Sequence, residues 1–193
     1  TNVSVNYDTE WLLNYWKTGD VGDVFRNNVK QALSTAEPGF SFNFFDKENE
    51  TLRNACTEVT SDSDSDVCNL GSVNLGRIDT ISEFTDIVHL ATKFLLCGTL
   101  KAKLPYKKIY EVREKNRRLG LGLMGMHEWL IKRGSKYEVT EELHKWLSVY
   151  RGESDRTSRT EADNMSISRP VANRAIAPTG SIGILAGTST GVE

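Results

Sequence analysis

The chain has 193 residues, of which 26% are charged and 38% hydrophobic, and its formal net charge at pH 7 is -2. This near balance of charge offers no surface for nucleic acid or anionic lipid, so we expect neither partner and favour a small-molecule substrate. No apolar run is long enough to cross a bilayer, the first residues lack the features of a signal peptide, and the three cysteines are an odd number. We therefore expect a cytoplasmic protein whose thiols are kept reduced or used chemically.

The first part of the chain predicts two helices followed by a strand. Asp8 can cap a short helix whose apolar residues recur at helical spacing, and a second helix is expected from about Val21 to Leu33. Pro38 and Gly39 interrupt this pattern. In the FSFNF segment that follows, phenylalanines alternate with polar residues, which predicts a strand with one buried face.

A long polar loop is predicted from about residue 46 to 75, with a DSDSD run in its middle. It is longer than an ordinary connection between secondary-structure elements in a compact domain, so we expect it to be functional. Thr80 and Glu83 have the spacing of a capping box, and the strongly apolar helix that follows is expected to be buried. Cys97 is interpreted as a small core residue of that helix.

The second half predicts further helices and a short strand. After Pro105, the KNRRLGLGLMGMHEWLIKRG segment moves from basic residues through glycines into a helix that Gly134 would end. Thr140 opens another long helix, and after Pro170 the RAIAP strand runs into a glycine turn and a helix start. The alternation predicts an α/β fold, without internal repeats or an interdomain linker.

Gly120, Gly122 and Gly125 satisfy the G-x-G-x-x-G pattern of a dinucleotide-binding turn. However, the KNRRL segment before them is a poor buried strand, and no strand ending in an acidic residue follows at the required distance. Glycines that allow close backbone packing are the better interpretation.

Two metal-binding patterns are incomplete. The DSDSD run resembles the opening of a calcium loop, but Val67 and Val73 stand where that loop needs glycine and glutamate. His127 and Glu128 begin like a zinc-protease helix, yet Ile131 occupies the place of the second histidine. We therefore expect no metal site, and we interpret the histidines as ordinary helix residues.

The candidate chemistry lies in the polar loop, where Asn54, Cys56 and Glu58 alternate. In an extended segment these side chains would project from the same side. A thiol, an acid and an amide suit several chemistries, including nucleophilic attack helped by a base. A polar surface loop is the alternative if the triplet stands alone.

Two further elements accompany the triplet: Cys68 in CNLGSVNLGRI, and a glycine turn in APTGSIGILAGTSTGVE whose amides could hold phosphate. Together the three elements resemble the large, catalytic subunit of ribonucleotide reductase. The resemblance covers nearly the whole chain, through NACTE, CNLGSVNL, EKNRRLGLGLMGMHEWLIKRG and APTGSIGILAGTSTGVE in the family's order. The last three motifs are most similar to the adenosylcobalamin-dependent class II enzymes.

The resemblance implies an α/β fold in which residues 1–193 form part of a ten-stranded barrel. The cysteine loop would be a finger through its centre at about residues 46–75, and the phosphate-binding turn would lie at about 178–183. Because a radical must be shielded from water, Cys56 is expected inside the barrel. The missing initial methionine and the stop directly after a motif lead us to expect a fragment.

By similarity, Cys56 becomes a thiyl radical, generated through adenosylcobalamin, and abstracts the ribose 3′-hydrogen. Glu58 would act as base toward the 3′-hydroxyl, Asn54 would hydrogen-bond the substrate, and the 2′-hydroxyl would leave as water. Cys68 would be one member of a redox pair whose second thiol lies upstream of Thr1, in the remainder of the same subunit.

The turn from Pro178 to Ile182, which includes Thr179, Gly180 and Ser181, would bind the substrate's phosphates. The implied activity is that of a vitamin B12-dependent ribonucleoside-diphosphate reductase, although the sequence leaves diphosphate and triphosphate substrates open. The implied partners are the ribonucleotide, an external dithiol reductant such as thioredoxin or glutaredoxin, and a possible second copy in a homodimer.

Two alternatives remain open from the sequence. Class I large subunits share the same catalytic plan and take the radical from a separate radical-generating subunit. A non-catalytic nucleotide-binding module, in which the loop thiols only stabilise structure, is the alternative from a different class.

Overall fold

The computed structural model of the chain describes residues 3–193, which form two compact units. The first unit ends at Asp64 and the second begins at Ser65, so the division falls inside the polar DSDSD run. Each unit has its own secondary structure and its own packed interior.

The first unit is a parallel strand pair connected by two helices. Strand β1 (Ser4–Tyr7) pairs with β2 (Gly39–Phe42) in a register from Ser4 opposite Gly39 to Tyr7 opposite Phe42. Helices α1 (Thr9–Thr18) and α2 (Gly22–Thr35) make the connection. Both helices and the strand agree with the prediction in position, and the carboxylate of Asp8 caps α1 by accepting from the Trp11 backbone amide at 3.0 Å. The predicted buried face of the strand was wrong, because Ser41 is buried whereas Phe42 is 47% exposed.

Aromatic rings cluster around Tyr7 in this unit. The Tyr7 ring is buried, and its centroid lies 5.0 Å from that of Trp11, 5.3 Å from Phe25 and 5.4 Å from Phe42. The Tyr7 hydroxyl accepts a hydrogen bond of 3.0 Å from the side-chain amide of Asn28. Aromatic pairs at these distances stabilise a small core beyond the area they bury.

The second unit is centred on a buried parallel pair, β5 (Asn69–Asn74) and β6 (Leu119–Met124), in register from Asn69 opposite Leu119 to Asn74 opposite Met124. Residues 172–175 run along the other side of β6. The Leu119 amide donates to the Ala172 carbonyl at 2.8 Å, and the Ala175 amide donates to the Leu121 carbonyl at 3.1 Å. All six residues of β6 are buried. The predicted polar loop is therefore shorter than expected, because its last residues form β5.

The glycine segment is a strand rather than the entry to a turn. Gly120 and Gly122 lie inside β6, and Gly125, with φ of 71°, follows its end. A Cβ at Gly122 would lie 2.6 Å from the Ala175 carbonyl oxygen, and one at Gly120 would lie 2.4 Å from Leu70 Cδ2. The packing interpretation of these glycines is confirmed. KNRRL is not a buried strand, as expected, because α4 ends at Asn116 and the strand starts only at Leu119. The strand LGLGLM, which contains the first two glycines, was not predicted.

Five helices surround the strands of the second unit. They are α3 (Ile81–Lys101), α4 (Lys107–Asn116), α5 (Met126–Lys132), α6 (Glu141–Asn164) and α7 (Gly180–Ala186). Both predicted caps are confirmed, since Thr80 accepts from the Glu83 amide at 3.2 Å and Thr140 accepts from the Leu143 amide at 3.1 Å. Helix α4 was not predicted because few of its residues are apolar. The predicted RAIAP strand is reduced to a single bridge between Arg174 and Leu121.

The core of this unit joins α3, α5 and α6. The Phe84 and Trp146 rings stack with centroids 5.0 Å apart, and the Trp129 ring meets Trp146 edge-on at the same distance. The expectation that α3 is wholly buried was wrong: Phe94 is 75% exposed, and Cys97 is exposed rather than a core residue. Helix α3 packs on β5, β6 and α6 with one face only, while its apolar residues extend around most of its circumference.

The strands of residues 3–193 form three separate two-stranded sheets, so no barrel is closed within this part of the chain. Two of the three pairs are parallel, as expected for an α/β fold. Across the same residues, the structure contains no helix with the length and hydrophobicity that a bilayer span requires.

Candidate active site

The triplet of Asn54, Cys56 and Glu58 lies at the tip of a small hairpin. Strands β3 (Leu52–Arg53) and β4 (Thr60–Ser61) pair antiparallel, and the six residues between them form a closed turn. The Thr57 amide donates to the Asn54 carbonyl at 3.0 Å, as in a β-turn. The Val59 amide donates to the side-chain oxygen of Asn54 at 3.1 Å.

This turn overturns the premise that the triplet sits on an extended segment. Thr57 has φ of 65°, so the chain reverses between the thiol and the acid instead of presenting alternate residues on one side. The three groups nevertheless share one short loop of six residues. Asparagine is a frequent turn former because its side chain can bond the nearby backbone, and it does so here.

The three side chains differ in exposure. Asn54 and Glu58 are half-buried, and Cys56 is a free, exposed thiol. The expected shelter inside a barrel is not formed by residues 3–193, whose strands make three separate pairs, and it stays a prediction for the longer protein. The Oε2 atom of Glu58 is buried and has no hydrogen-bond partner among the residues that the structure describes. An unsatisfied buried carboxylate oxygen is unusual in a folded protein, and a catalytic role is one of the recognised reasons for it.

The base of the hairpin is fixed by polar contacts within the first unit. Arg53 donates to the hydroxyl of Ser41 and, at 2.8 Å, to the side-chain oxygen of Asn43. The Thr60 hydroxyl donates to the Glu50 carboxylate at 2.6 Å. Burial lowers the pKa of the Arg53 guanidinium, although the nearby Glu50 opposes this shift. The tip is thus carried by a hairpin that is tied to β2.

Cys68 lies in the second unit, directly before β5, and is half-buried. A Cβ at Gly120 would approach its sulfur to 2.9 Å, so the glycine leaves the space that the thiol occupies. Just upstream, the carboxylate of Asp66 accepts from Asn116 at 2.9 Å and from Arg118 at 3.0 Å. The side chains of Asp66 and Arg118 are 7% and 10% exposed. This buried ion pair fixes the segment that leads to Cys68 against the start of β6.

The predicted phosphate turn enters helix α7. Thr179 is buried with φ of 51°, whereas Pro178, Gly180, Ser181 and Ile182 are exposed. The first amides of a helix have no acceptor within it, so those of residues 180–182 are available at this end. The Thr179 hydroxyl accepts from the Gly191 amide at 2.7 Å, which ties the turn to the segment after α7.

That segment is in turn held by Glu128 of α5. One carboxylate oxygen accepts from the Ser189 amide at 2.6 Å and the other from the Ser189 hydroxyl at 2.7 Å. Burial acts to raise the pKa of Glu128, but the hydrogen bonds from Ser189, from its own backbone amide and from Thr188 together lower it by more, so its pKa lies below the usual value. Sequence reasoning considered Glu128 only as part of a zinc motif. No local pattern signals its partner, which is 61 residues away.

Among residues 3–193, no group of three or more His, Cys, Asp or Glu side chains is arranged to hold a metal ion. The aspartates of the DSDSD run do not act as a set, since Asp66 is engaged with Asn116 and Arg118. His89, His127 and His144 lie in helices α3, α5 and α6.

With this geometry established, the comparison with protein families is decisive. Residues 7–147 match the family described as the ribonucleotide reductase barrel domain, a range that contains both the hairpin tip and Cys68. The chain belongs to this family.

Relatives in the ribonucleotide reductase family are similar over most of this chain. A protein of Mycobacterium phage D29, whose name describes an adenosylcobalamin-dependent ribonucleoside-triphosphate reductase, is 31% identical over 84% of the chain. A vitamin B12-dependent ribonucleoside-diphosphate reductase of Thermoplasma acidophilum is 28% identical over 98% of it. The chain spans 25% and 28% of the lengths of these two relatives.

A solved structure supports the fold assignment. The class Id ribonucleotide reductase alpha subunit of Actinobacillus ureae is similar with a TM-score of 0.78 and 22% identity, over 100% of this chain and 43% of that chain. The arrangement of strands and helices described above is therefore that of a reductase large subunit.

Proposed function

We propose that this chain is the catalytic part of a ribonucleotide reductase that converts ribonucleotides to 2′-deoxyribonucleotides by radical chemistry at Cys56. The observation that carries the proposal is the match of residues 7–147 to the reductase barrel domain, because this range includes the tip and Cys68 together. Substrates and partners of the whole enzyme are part of the proposal, since the chain spans about a quarter of its relatives.

In this mechanism the Cys56 sulfur, as a thiyl radical, takes the 3′-hydrogen of the ribose. Glu58 accepts the proton of the 3′-hydroxyl, and Asn54 donates a hydrogen bond that orients the sugar. The 2′-hydroxyl leaves as water with a proton from one redox thiol, and the hydrogen of the second thiol is delivered to C2′ as the two thiols give up two electrons and become a disulfide. Cys56 then returns the hydrogen atom to C3′, which restores the thiyl radical, and Glu58 returns the proton to the 3′-oxygen. The unsatisfied Oε2 atom of Glu58 supports the role of proton acceptor, because it has an unused lone pair at the tip.

Adenosylcobalamin, which stands in the name of the phage relative, would supply the initial radical when bound, and the name of the Thermoplasma acidophilum relative likewise describes dependence on vitamin B12. Cys56 fits this role because it is a free thiol at the tip of the hairpin. We further propose that the rest of the subunit completes a ten-stranded barrel over residues 46–75 as a finger loop. That enclosure would provide the shielding from water that the described residues do not provide.

Cys68 is proposed as one thiol of the redox pair, with its partner in the remainder of the same subunit. An external dithiol such as thioredoxin or glutaredoxin would reduce the resulting disulfide after each turnover. Its half-buried position beside Gly120 is compatible with a thiol that reacts only with a partner brought close to it. We also propose a cytoplasmic location, because repeated reduction of the pair needs a reducing compartment. A homodimer is the proposed assembly.

The exposed turn formed by Pro178, Gly180, Ser181 and Ile182, with Thr179 beneath it, is proposed to bind the substrate's phosphates. Amides that lack acceptors at the start of a helix favour an anion. The two named relatives differ in using triphosphates and diphosphates, so the proposal covers both.

A class I large subunit is the second candidate, because solved structures of a class Id alpha subunit and of a class II enzyme are similar to this chain with the same TM-score of 0.78, and the fold is thus common to both classes. In that case a separate subunit would supply the radical to Cys56. Product formation with cobalamin alone identifies class II, and product formation only with a radical-generating subunit identifies class I.

The test of the mechanism is Cys56→Ser in the complete subunit. We expect complete loss of deoxynucleotide formation with an unchanged melting temperature, because serine cannot form a comparable radical but differs from cysteine only by oxygen in place of sulfur. Cys97→Ser is the matched control, since Cys97 is also exposed but lies on α3. Turnover that survives Cys56→Ser would instead support a non-catalytic nucleotide-binding module.

A further inference from the structure

The His127-Glu128 pair is a motif that the proposed mechanism does not use. The His127 side chain is exposed and meets the Tyr137 ring edge-on, with centroids 6.2 Å apart. Glu128 is half-buried, and both of its carboxylate oxygens accept hydrogen bonds from Ser189. The two residues therefore do not act together, and Glu128 has a separate structural partner.

The contacts of Glu128 continue to the proposed phosphate turn. Ser189, held by Glu128, is followed two residues later by Gly191, whose amide donates to the Thr179 hydroxyl at 2.7 Å. The Gly183 amide donates to the Thr179 carbonyl at 2.7 Å, and the Thr188 amide donates to the Gly183 carbonyl at 3.0 Å. The turn and the segment after α7 thus form one hydrogen-bonded loop.

The other attachments of this loop come from the edge of the β5–β6 pair. The Gly125 amide donates to the Ser189 carbonyl at 3.0 Å, and the Thr188 hydroxyl donates to the Asn74 side-chain oxygen at 3.2 Å. Among these attachments, Glu128 alone contributes a charged group. Hydrogen bonds to a charged acceptor are stronger than those between neutral groups.

We propose that Glu128 is a positioning residue that holds Ser189 and thereby fixes Thr179 and residues 180–182 in the geometry that binds the substrate's phosphates. This inference rests on the proposed function, because the proposed function names the substrate's phosphates as the ligand of the turn. Glu128 itself does not touch the substrate. Its role is to keep the loop in one conformation before the nucleotide arrives, so that no ordering cost is added to binding.

The carboxylate is suited to this role because Ser189 presents two donors. Each oxygen of Glu128 accepts one of them, and the hydrogen bonds keep the pKa of Glu128 low, so that the group stays ionised at neutral pH. Glutamine has nearly the same shape but only one acceptor oxygen, and its NH₂ group would face a second donor. Glu128→Gln therefore breaks one contact without leaving a cavity.

The experiment uses the complete subunit under its own turnover conditions. For Glu128→Gln we expect KM for the ribonucleotide to rise about tenfold, the equivalent of one charged hydrogen bond, with kcat changed less than about twofold. Ser189→Ala should raise KM by a smaller factor, and the double variant should be no worse than Glu128→Gln, because both changes remove the same contact. Glu111→Gln is the control, since Glu111 is an exposed carboxylate paired with Lys107 on α4.

A residue with only a structural role would give a different result: a lower melting temperature and less active enzyme at an unchanged KM. That result, or additive effects of the two single changes on KM, would overturn the inference. If Glu128→Gln fails to fold, Ser189→Ala alone decides, and an unchanged KM in that variant counts against the proposal. Failure of the proposed function is separate, since the unaltered subunit would then form no deoxynucleotide with either radical source.

Discussion

Gly122 shows how a single residue determines whether β6 can form. A Cβ at this position would lie 2.6 Å from the Ala175 carbonyl oxygen, which is backbone and cannot rotate away. At Gly120 the closest atom is Leu70 Cδ2, the end of a side chain that is 43% exposed and can move. The two glycines are therefore not equivalent, although the sequence pattern treats them alike.

We expect Gly122→Ala to lower the free energy of unfolding by about 1–3 kcal/mol through overpacking, and Gly120→Ala to cost less. The measurement is chemical denaturation. Gly152→Ala is the control, because Gly152 is exposed within α6 and nothing lies within 4 Å of the added methyl group. That change should stabilise the helix by about 0.5–1 kcal/mol. Equal losses at Gly120 and Gly122 would contradict the explanation from backbone contact.

At the scale of elements, α6 fixes the segment that leads to the phosphate turn. The Asp155 carboxylate accepts a hydrogen bond from the Arg174 guanidinium and another, at 2.8 Å, from the side-chain amide of Asn173. These two residues belong to the segment that runs along β6. Burial acts to raise the pKa of Asp155, but the hydrogen bonds from Arg174 and Asn173 lower it by more, so its pKa lies below the usual value.

A depressed pKa makes the contribution of Asp155 to stability depend on pH. The contribution is fully present above the unfolded-state pKa of about 3.9 and is lost as the pH falls through the lower folded-state pKa. We therefore expect Asp155→Asn to destabilise the protein at neutral pH, with the difference from the unaltered protein shrinking as the pH falls below about 4. Unfolding free energies measured between pH 7 and pH 3 would show this.

Asp163→Asn is the matched control on the same helix. Asp163 pairs with Arg169, but both side chains are about half exposed. Solvent weakens an exposed ion pair, so we expect a much smaller effect of this change. A constant penalty for Asp155→Asn at every pH would show that the loss comes from packing and not from the charge.

At the scale of the whole molecule, an apolar groove lies open beside β5 and α3. It has a volume of about 440 Å³ and is lined by Leu70, Val73, Leu90 and Phe94, among others. Leu90 and Phe94 are 68% and 75% exposed. An exposed apolar surface of this kind favours association.

We expect residues 1–193, produced alone, to self-associate as concentration rises, because the groove buries its apolar side chains only against another molecule. Leu90→Lys combined with Phe94→Lys should shift sedimentation toward the monomer. Ser148→Lys combined with Thr160→Lys adds the same charge at exposed positions of α6 and should change little. A chain that sediments as a monomer at all concentrations would contradict this prediction.

The sequence by itself determined the family and the starts of α1, α3 and α6. The caps at Asp8, Thr80 and Thr140 were predictable because each bond joins residues three apart, which a local pattern can report. The family was predictable because four motifs occur in order, and residues 7–147 bear this out. The site residues carried over from those motifs remain predictions.

Only the tertiary structure decided the conformation of the tip, the strand made of LGLGLM and the roles of Cys97 and Glu128. Each depends on residues far apart in the chain: β6 is stable because β5 and residues 172–175 lie on either side of it, and Glu128 is bound to a serine 61 residues away. Burial and long-range hydrogen bonds are set by the fold, so local sequence periodicity cannot report them.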